Sequence, residues 1–239
     1  MGRGPSIEGR KNAEDAKRGK IFTKLIREIT IASRNGAAPA TNARLRAGID
    51  KALSSNMTKE TIERAVRRGS GAEGADHMQE LRYEGYGPAG VALIIDCMTD
   101  NAQRTVADVR HALAKHGGNL GTTGSVAFQF KHIGELAFAT PDAQAEEKIL
   151  ELALDAGADD VQTRDGQSIV LCTVANFEAV KKALVAARLQ PLRADVVWLP
   201  ENRVPVSSES EETLRELLDR LEELDDVQEV YHNAALAEH

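Results

Sequence analysis

The apolar residues of this chain keep a helical period up to residues 69–76 and take on strand alternation only after them, which restricts the fold to a helical module followed by mixed strands and helices. Before it, Phe22, Leu25, Ile26 and Ile29 recur at i, i+3, i+4 and i+7, one face of a 3.6-residue helix. This predicts a helix over Lys20 to Asn35 that ends at Gly36. Leu45, Ile49, Ala52 and Leu53 predict a second helix from Asn42 to Ser55. Ile62, Ala65 and Val66 predict a third, starting at Thr58 as N-cap and stopping before Gly69-Ser70-Gly71. Short connections between three amphipathic helices imply a small bundle, with Gly69 to Asp76 as linker.

After the linker the pattern alternates. Leu81 to Tyr86 and Val91 to Met98 flank a Gly/Pro turn, and a helix follows from Asn101 to His116. Ser125 to Phe130 reads as a strand. Next come a strand at Glu135 to Ala139, a helix at Asp142 to Ala156, and strands at Asp160–Thr163 and Ser168–Val174 joined by the hairpin pair Asp165-Gly166. A helix capped by Asn176 and a strand at Leu192–Leu199 complete β-α-β-β-α-β, the ferredoxin-like order. Ser208 and Glu211 suggest a capping box for a helix with Leu214, Leu217, Leu218 and Leu221 as its stripe. Val227 to Tyr231 reads as the last strand. Residues 78–130 lack a closing helix and strand, and residues 208–232 supply both. The expected fold is therefore α+β: an N-terminal helical bundle followed by two α/β domains, one ferredoxin-like and inserted into the other. The expected boundaries are 1–76, 77–131 plus 205–239, and 132–204.

Charge divides at the same place as period. Through Ser70 there are 16 Lys and Arg against 7 Asp and Glu, while the whole chain has 30 against 37 and a net charge of −7. A basic module on an acidic body points to a polyanionic partner for one end. At 100° per residue, Lys17, Lys20, Lys24, Arg27 and Arg34 share about one 100° sector of the first helix, and Arg18 follows Lys17 in sequence outside that sector. Arg44, Arg46, Arg64, Arg67 and Arg68 add cations from the other two helices. Such a stripe suits neutralisation of successive phosphates, although the same residues also solvate ordinary amphipathic helices. Aromatics are only 4% of the chain, which disfavours a base-stacking platform.

Other motifs exclude more than they assign. Gly85-Tyr86-Gly87-Pro88-Ala89-Gly90 matches G-x-G-x-x-G but runs into a strand, so no helix N-terminus is there to hold a pyrophosphate. Gly117-Gly118-Asn119-Leu120-Gly121-Thr122-Thr123-Gly124 lacks the Walker ending. It reads either as a flexible loop with exposed amides able to approach a ligand or as a long helix-to-strand turn. Arg104, His111 and Lys115 share a face of the helix before it. The six histidines show no zinc spacing, and no nucleophile elbow is present. Cys97 and Cys172 lie in apolar runs and read as buried thiols. No apolar run spans a membrane, and the polar N-terminus has no secretory h-region. These readings favour a cytoplasmic, non-enzymatic protein without cofactor, metal or small-molecule substrate.

Several strings taken together resemble the YebC family: Asp15-Ala-Lys-Arg-Gly-Lys-Ile-Phe-Thr-Lys-Leu-Ile-Arg-Glu-Ile, Arg82-Tyr-Glu-Gly-Tyr-Gly-Pro, Thr99-Asp-Asn, Arg104-Thr-Val-Ala-Asp-Val-Arg-His and Gly117-Gly-Asn-Leu-Gly-Thr-Thr-Gly-Ser-Val-Ala-Phe. The resemblance runs from about Asn12 to Phe130 and returns at Leu221 to Asn233. It implies a helical bundle with two α/β domains, in a cytoplasmic protein described as a probable DNA-binding transcriptional regulator. It also implies an alternative, because other members act in translation, among them the mitochondrial translational activator of cytochrome c oxidase. Some bacterial members are linked to relief of ribosome stalling at proline-rich stretches. The expected partner is thus duplex DNA or ribosomal RNA. A protein–protein adaptor role for the inserted domain is a third reading. By matching position, the resemblance carries the cations of Lys17 to Arg34 and the loop Gly118, Asn119, Leu120 and Gly121 into the shared surface. The chain departs from the family at Gly4-Pro-Ser-Ile-Glu-Gly-Arg-Lys, where many members have Gly-His-Ser-Lys-Trp.

Overall fold

A computed structural model describes residues 7–74 and 77–236. Residues 4–6 of the N-terminal departure from the family pattern and residues 75–76 of the expected linker thus lie outside the described residues. The chain forms two compact units. One comprises residues up to Thr123 with Val206–Val230, the other Gly124–Pro205 with the residues from Tyr231 on.

The first unit opens with α1 (Ile7–Ala32), which continues as a 3-10 turn at Ser33–Asn35. The helix begins thirteen residues before the stretch that apolar phase alone predicts, because its first half has no apolar stripe to announce it. It ends at Gly36, whose φ of 132° leaves the helical region. Asn42 then links two elements. Its side-chain oxygen accepts from the Leu45 amide at 3.0 Å and so caps α2 (Ala43–Ser54), while its amide nitrogen donates to the carbonyls of Ala32 and Gly36. Thr58 caps α3 (Lys59–Gly69). Ile29, Ala32, Leu45, Ala52, Met57, Ile62 and Ala65 are buried between the helices. Gly69 is not linker: it is the last residue of α3, and a Cβ there would lie 1.9 Å from the Thr30 carbonyl oxygen. The absence of a side chain lets α3 close onto α1.

β1 (Gln79–Tyr86) and β2 (Ala92–Thr99) form an antiparallel hairpin from Gln79↔Thr99 to Tyr86↔Ala92. Its turn places Ala89 at φ 56° and Gly90 at φ 72°. α4 (Ala102–Lys115), capped by Asn101, buries Val109, Ala112 and Leu113 and leads into β3 (Asn119–Leu120), which pairs with β1. Cys97 on β2 is a buried free thiol, and burial pushes its pKa up to about 12.

In the second unit the stretch expected as a strand at Ser125 to Phe130 is instead a 3-10 turn, Ala127–Gln129, followed by β4 (Phe130–Ala139). Val126 and Phe130, four residues apart, are both buried. The Gln129 amide closes a turn onto the Val126 carbonyl at 2.9 Å, which takes Phe128 out of the alternation a strand would impose. α5 (Ala143–Asp155, capped by Asp142), β5 (Asp160–Arg164), β6 (Gln167–Cys172), α6 (Phe177–Ala186) and β7 (Arg193–Pro200) follow, then the short β8 (Val204–Pro205). The sheet order β5-β6-β4-β7, antiparallel throughout, is the ferredoxin-like arrangement. Asp165 and Gly166 both have positive φ, as a tight hairpin turn demands. Asn176 does not cap α6 with its side chain; its amide donates to the Gly157 carbonyl at 3.0 Å instead. Leu136, Phe138, Ile149, Val170, Val180 and Leu184 form the core, and Cys172 there is pushed up to about 11 by burial.

α7 (Ser208–Glu223) buries Leu214, Leu217 and Leu221, with Leu218 half-buried. Its cap is Ser207, one residue before the expected Ser208: the Ser207 hydroxyl accepts from the Ser210 amide at 3.2 Å. Glu211 pairs with Arg215 along the helix instead. β9 (Val227–His232) adds to β2, giving the order β3-β1-β2-β9, so this sheet takes one edge from near the end of the chain. β10 (Ala234–Ala235) pairs in parallel with β8.

Candidate nucleic-acid interface

The cationic face of α1 has the expected phase, but its two halves face different surroundings. Toward the C-terminal end, Arg27 is held at three oxygens: its Nη1 lies 2.7 Å from the Met98 and Asp225 carbonyls and 2.8 Å from Asp226 Oδ1. Only 15% of its side chain is exposed. Lys24 donates to the Glu222 carbonyl at 3.2 Å, and Arg34 donates to the Met78 carbonyl. Toward the N-terminal end, Lys17 and Arg18 are exposed and Lys20 is half-buried. The Arg18 guanidinium stands 5.2 Å above the Phe22 ring, a cation–π contact that leaves its hydrogen-bond donors available.

The other helices divide in the same way. Arg44 is fixed by Glu28 at 2.7 Å and Glu80 at 2.7 Å. Burial works against its charge, but the two carboxylates outweigh that and raise its pKa further. Arg46 donates to the Pro39 carbonyl at 3.0 Å, and Arg67 pairs with Glu73 at 3.0 Å with both side chains about half exposed. Lys17, Lys20, Arg64 and Arg68 have no hydrogen-bond or ion-pair partner among the described residues.

The glycine loop differs from the reading of exposed amides. Asn119 and Leu120 are paired to Tyr86 and Gly85 as β3. The Gly118 amide donates to Leu113 and the Gly121 amide to Glu84, each at 2.8 Å. A Cβ at Gly118 would lie 2.2 Å from the Tyr86 carbonyl oxygen. Gly118 therefore permits close packing against β1, and the Gly118 and Gly121 amides are already bonded within the fold.

Sequence reasoning missed the group that organises this unit. The Asp226 carboxylate accepts from Arg27, from Arg104 at 2.9 and 3.0 Å, and from Thr105 at 2.8 Å. Burial alone would raise its pKa, but hydrogen bonds from Arg104, Arg27 and Thr105 outweigh that and hold it below the ordinary carboxylate value. The hydrogen bonds of Arg104 to Asp226 and then to Asp100 raise its own pKa. Arg104 is thus bound internally, whereas His111 and Lys115 on the same helix stay exposed. Gln228 of β9 adds a bond to the Lys24 carbonyl at 2.9 Å. A cavity of about 490 Å³ beside Asp226 is lined by Arg27, Arg104, Asp100, Asp108 and Asp225 among others. No group of His, Cys, Asp and Glu among the described residues is placed to hold a metal ion. In the sequence Asp226 sits in the acidic run Glu222 to Asp226 and looks like solvated surface. Only its leucine-rich approach and the strand after it hinted at burial.

Fold and site together define an α+β protein in which a basic helical bundle is pinned to a four-stranded sheet, and a ferredoxin-like sheet forms the second unit. The chain belongs to the TACO1/YebC family: the family's N-terminal domain matches residues 4–72, and its second and third domains match residues 78–234. A probable transcriptional regulatory protein of Xanthomonas campestris pv. campestris (strain B100) is 54% identical over 237 residues, covering 98% of this chain and 97% of the relative. A protein of the same description from Idiomarina loihiensis is 55% identical over 235 residues, covering 98% and 94%. The crystal structure of a conserved hypothetical protein from Aquifex aeolicus superposes with a TM-score of 0.84 at 40% identity, covering 94% of this chain and 93% of that one. No helix among the described residues is long and apolar enough to cross a membrane.

Proposed function

We propose that this protein is a non-enzymatic, cytoplasmic regulator that binds nucleic acid through the exposed cations of its helical bundle, with duplex DNA in transcriptional control as the first reading. One observation carries it. Once Lys24, Arg27, Arg34, Arg44 and Arg46 are assigned to intramolecular acceptors, Lys17, Lys20, Arg64 and Arg68 still stand without a partner among the described residues, and Arg18 and Arg67 are exposed beside them in sequence. Unpaired cations on helix surfaces supply the point charges that displace counterions from a phosphate backbone. The names of the relatives from Xanthomonas and Idiomarina point to transcription. The bundle (1–76), the discontinuous middle domain (77–131 plus 205–239) and the inserted domain (132–204) are the proposed working parts.

The second reading is a translation factor on ribosomal RNA. It is favoured by an aromatic ring that stands out of the second unit, since a phosphate backbone offers such a ring nothing. Crosslinking in cells followed by sequencing of the recovered nucleic acid separates the two. Promoter fragments support the first reading; ribosomal RNA without them supports the second and excludes the first. In vitro, the combined Lys17→Ala, Lys20→Ala, Arg64→Ala, Arg68→Ala variant should bind a 20-base-pair duplex more weakly. Its log K against log salt slope should be shallower by about 3 to 4, near 0.9 for each phosphate no longer neutralised. An unchanged slope would remove these four residues from the interface.

A further inference from the structure

Of the five phenylalanines, Phe130, Phe138 and Phe177 are buried at 6%, 1% and 7% exposure and Phe22 is half-buried, but Phe128 is 73% exposed. It is not a frayed loop residue. Phe128 is the middle residue of the 3-10 turn Ala127–Gln129, and the residues that bracket it, Val126 and Phe130, are both sunk into the core. Several bonds fix Gln129: among them its amide donates to the Val126 carbonyl, its carbonyl accepts from the Glu201 amide at 3.0 Å, and its side-chain oxygen accepts from Asn233 at 3.2 Å. The fold thus clamps the backbone on both sides of an aromatic ring and directs that ring outward. A strand here would have put Val126, Phe128 and Phe130 on one face. The turn separates the middle one.

We infer that Phe128 is a base-stacking residue, whose face takes an unpaired nucleobase of the bound nucleic acid. Its surroundings favour a base over an apolar protein pocket. Ser125, Ala127 and Gln129 beside it are small or polar, and the exposed Leu192 lies at the opposite end of β4, where its amide reaches Ala137. Hot spots of protein interfaces instead sit within an occluding ring of contacts. Lys131, three residues on, keeps 66% of its side chain exposed and is held only loosely by Glu201 at 3.8 Å, leaving a cation to meet a backbone phosphate. A ring held in place before binding stacks with little loss of freedom.

The inference rests on the nucleic-acid reading above, and the test separates the two. The probes are a 20-base-pair duplex and the same duplex with one unpaired purine, each made as DNA and as RNA. The intact protein should prefer the bulged form of at least one backbone. Phe128→Ala should lose roughly ten-fold or more of that affinity while binding the fully paired duplex as before. Phe128→Trp should retain the preference and show quenched indole fluorescence on binding. Circular dichroism of each variant confirms folding, expected for a substitution at an exposed site. Equal affinity of Phe128→Ala and the parent for the bulged probe overturns the stacking role and leaves the bundle reading standing. Absence of binding to every probe by the parent overturns both. If Phe128→Ala impairs association with ribosomes but not with either bulged probe, the ring docks on protein and the inference fails.

Discussion

Asp226 shows how one residue decides what its neighbours do. The residue is 5% exposed, and its carboxylate takes hydrogen bonds from two arginines and a threonine that arrive from α1 and α4. Without it, Arg27 would keep a largely buried charge with only carbonyl partners. Asp226→Ala should therefore destabilise the protein by about 3 kcal/mol, the low end for breaking a buried pair, because 45% of the Arg104 side chain is already in water. The pH dependence follows from the lowered pKa. The unfolded carboxylate titrates near 3.9 and the folded one below that, so the contribution is complete above the unfolded value and is lost as pH falls through the folded one. Urea unfolding of parent and variant should show a stability gap at pH 7 that narrows below about pH 4; a gap that stays constant down to pH 2.5 would show that charge is not its source. Arg27→Ala should likewise cost stability, unlike Lys17→Ala, although the two cations share one helical face.

Among the elements, the ends of α2, α3 and α7 were legible to within a residue, the start of α1 was not, and neither was packing. Ser207 rather than Ser208 caps α7, since the cap is set by which hydroxyl reaches the Ser210 amide. Ser207→Ala should cost about 1 kcal/mol and Ser208→Ala less than about 0.5, read as shifts in thermal midpoint; equal losses would move the cap. Gly69 read as linker because glycine punctuates chains, yet its hydrogen stands where a Cβ would meet the Thr30 carbonyl. Gly69→Ala should destabilise the bundle by about 3 kcal/mol through overpacking, visible as a lowered urea midpoint. A neutral result would mean that α3 and α1 can separate at little cost. The turn at Ala127–Gln129 defeated strand alternation for a related reason: apolar residues two apart fit a strand, but the structure buries only the outer two of three.

Across the whole molecule the charge split gains a meaning that totals cannot give. The sequence places a surplus of cations in the first 70 residues, and the structure divides them into those bound to the protein's own carbonyls and carboxylates and those left to solvent. Lys17, Lys20, Arg64 and Arg68 make no intramolecular bond among the described residues. Their joint replacement by alanine should leave the urea midpoint unchanged within about 0.5 kcal/mol per site while weakening duplex binding. A large loss of stability would show that they serve the fold. That contrast with Arg27 is the sharpest check on how the interface is drawn.

The sequence by itself determined most of the element types and their order, the ferredoxin-like strand and helix succession and the basic character of the bundle. Those follow from periodicity, turn residues and charge, which are local. Tertiary structure alone decided which cations face inward, because helical phase fixes direction about the helix axis but not what stands opposite at each turn. Arg27 and Asp226 are 199 residues apart in the chain, and no local pattern links them. Gly118, closed against Tyr86, and Phe128, held out by buried neighbours, were settled the same way. In each case the deciding atoms belong to an element that only folding brings near.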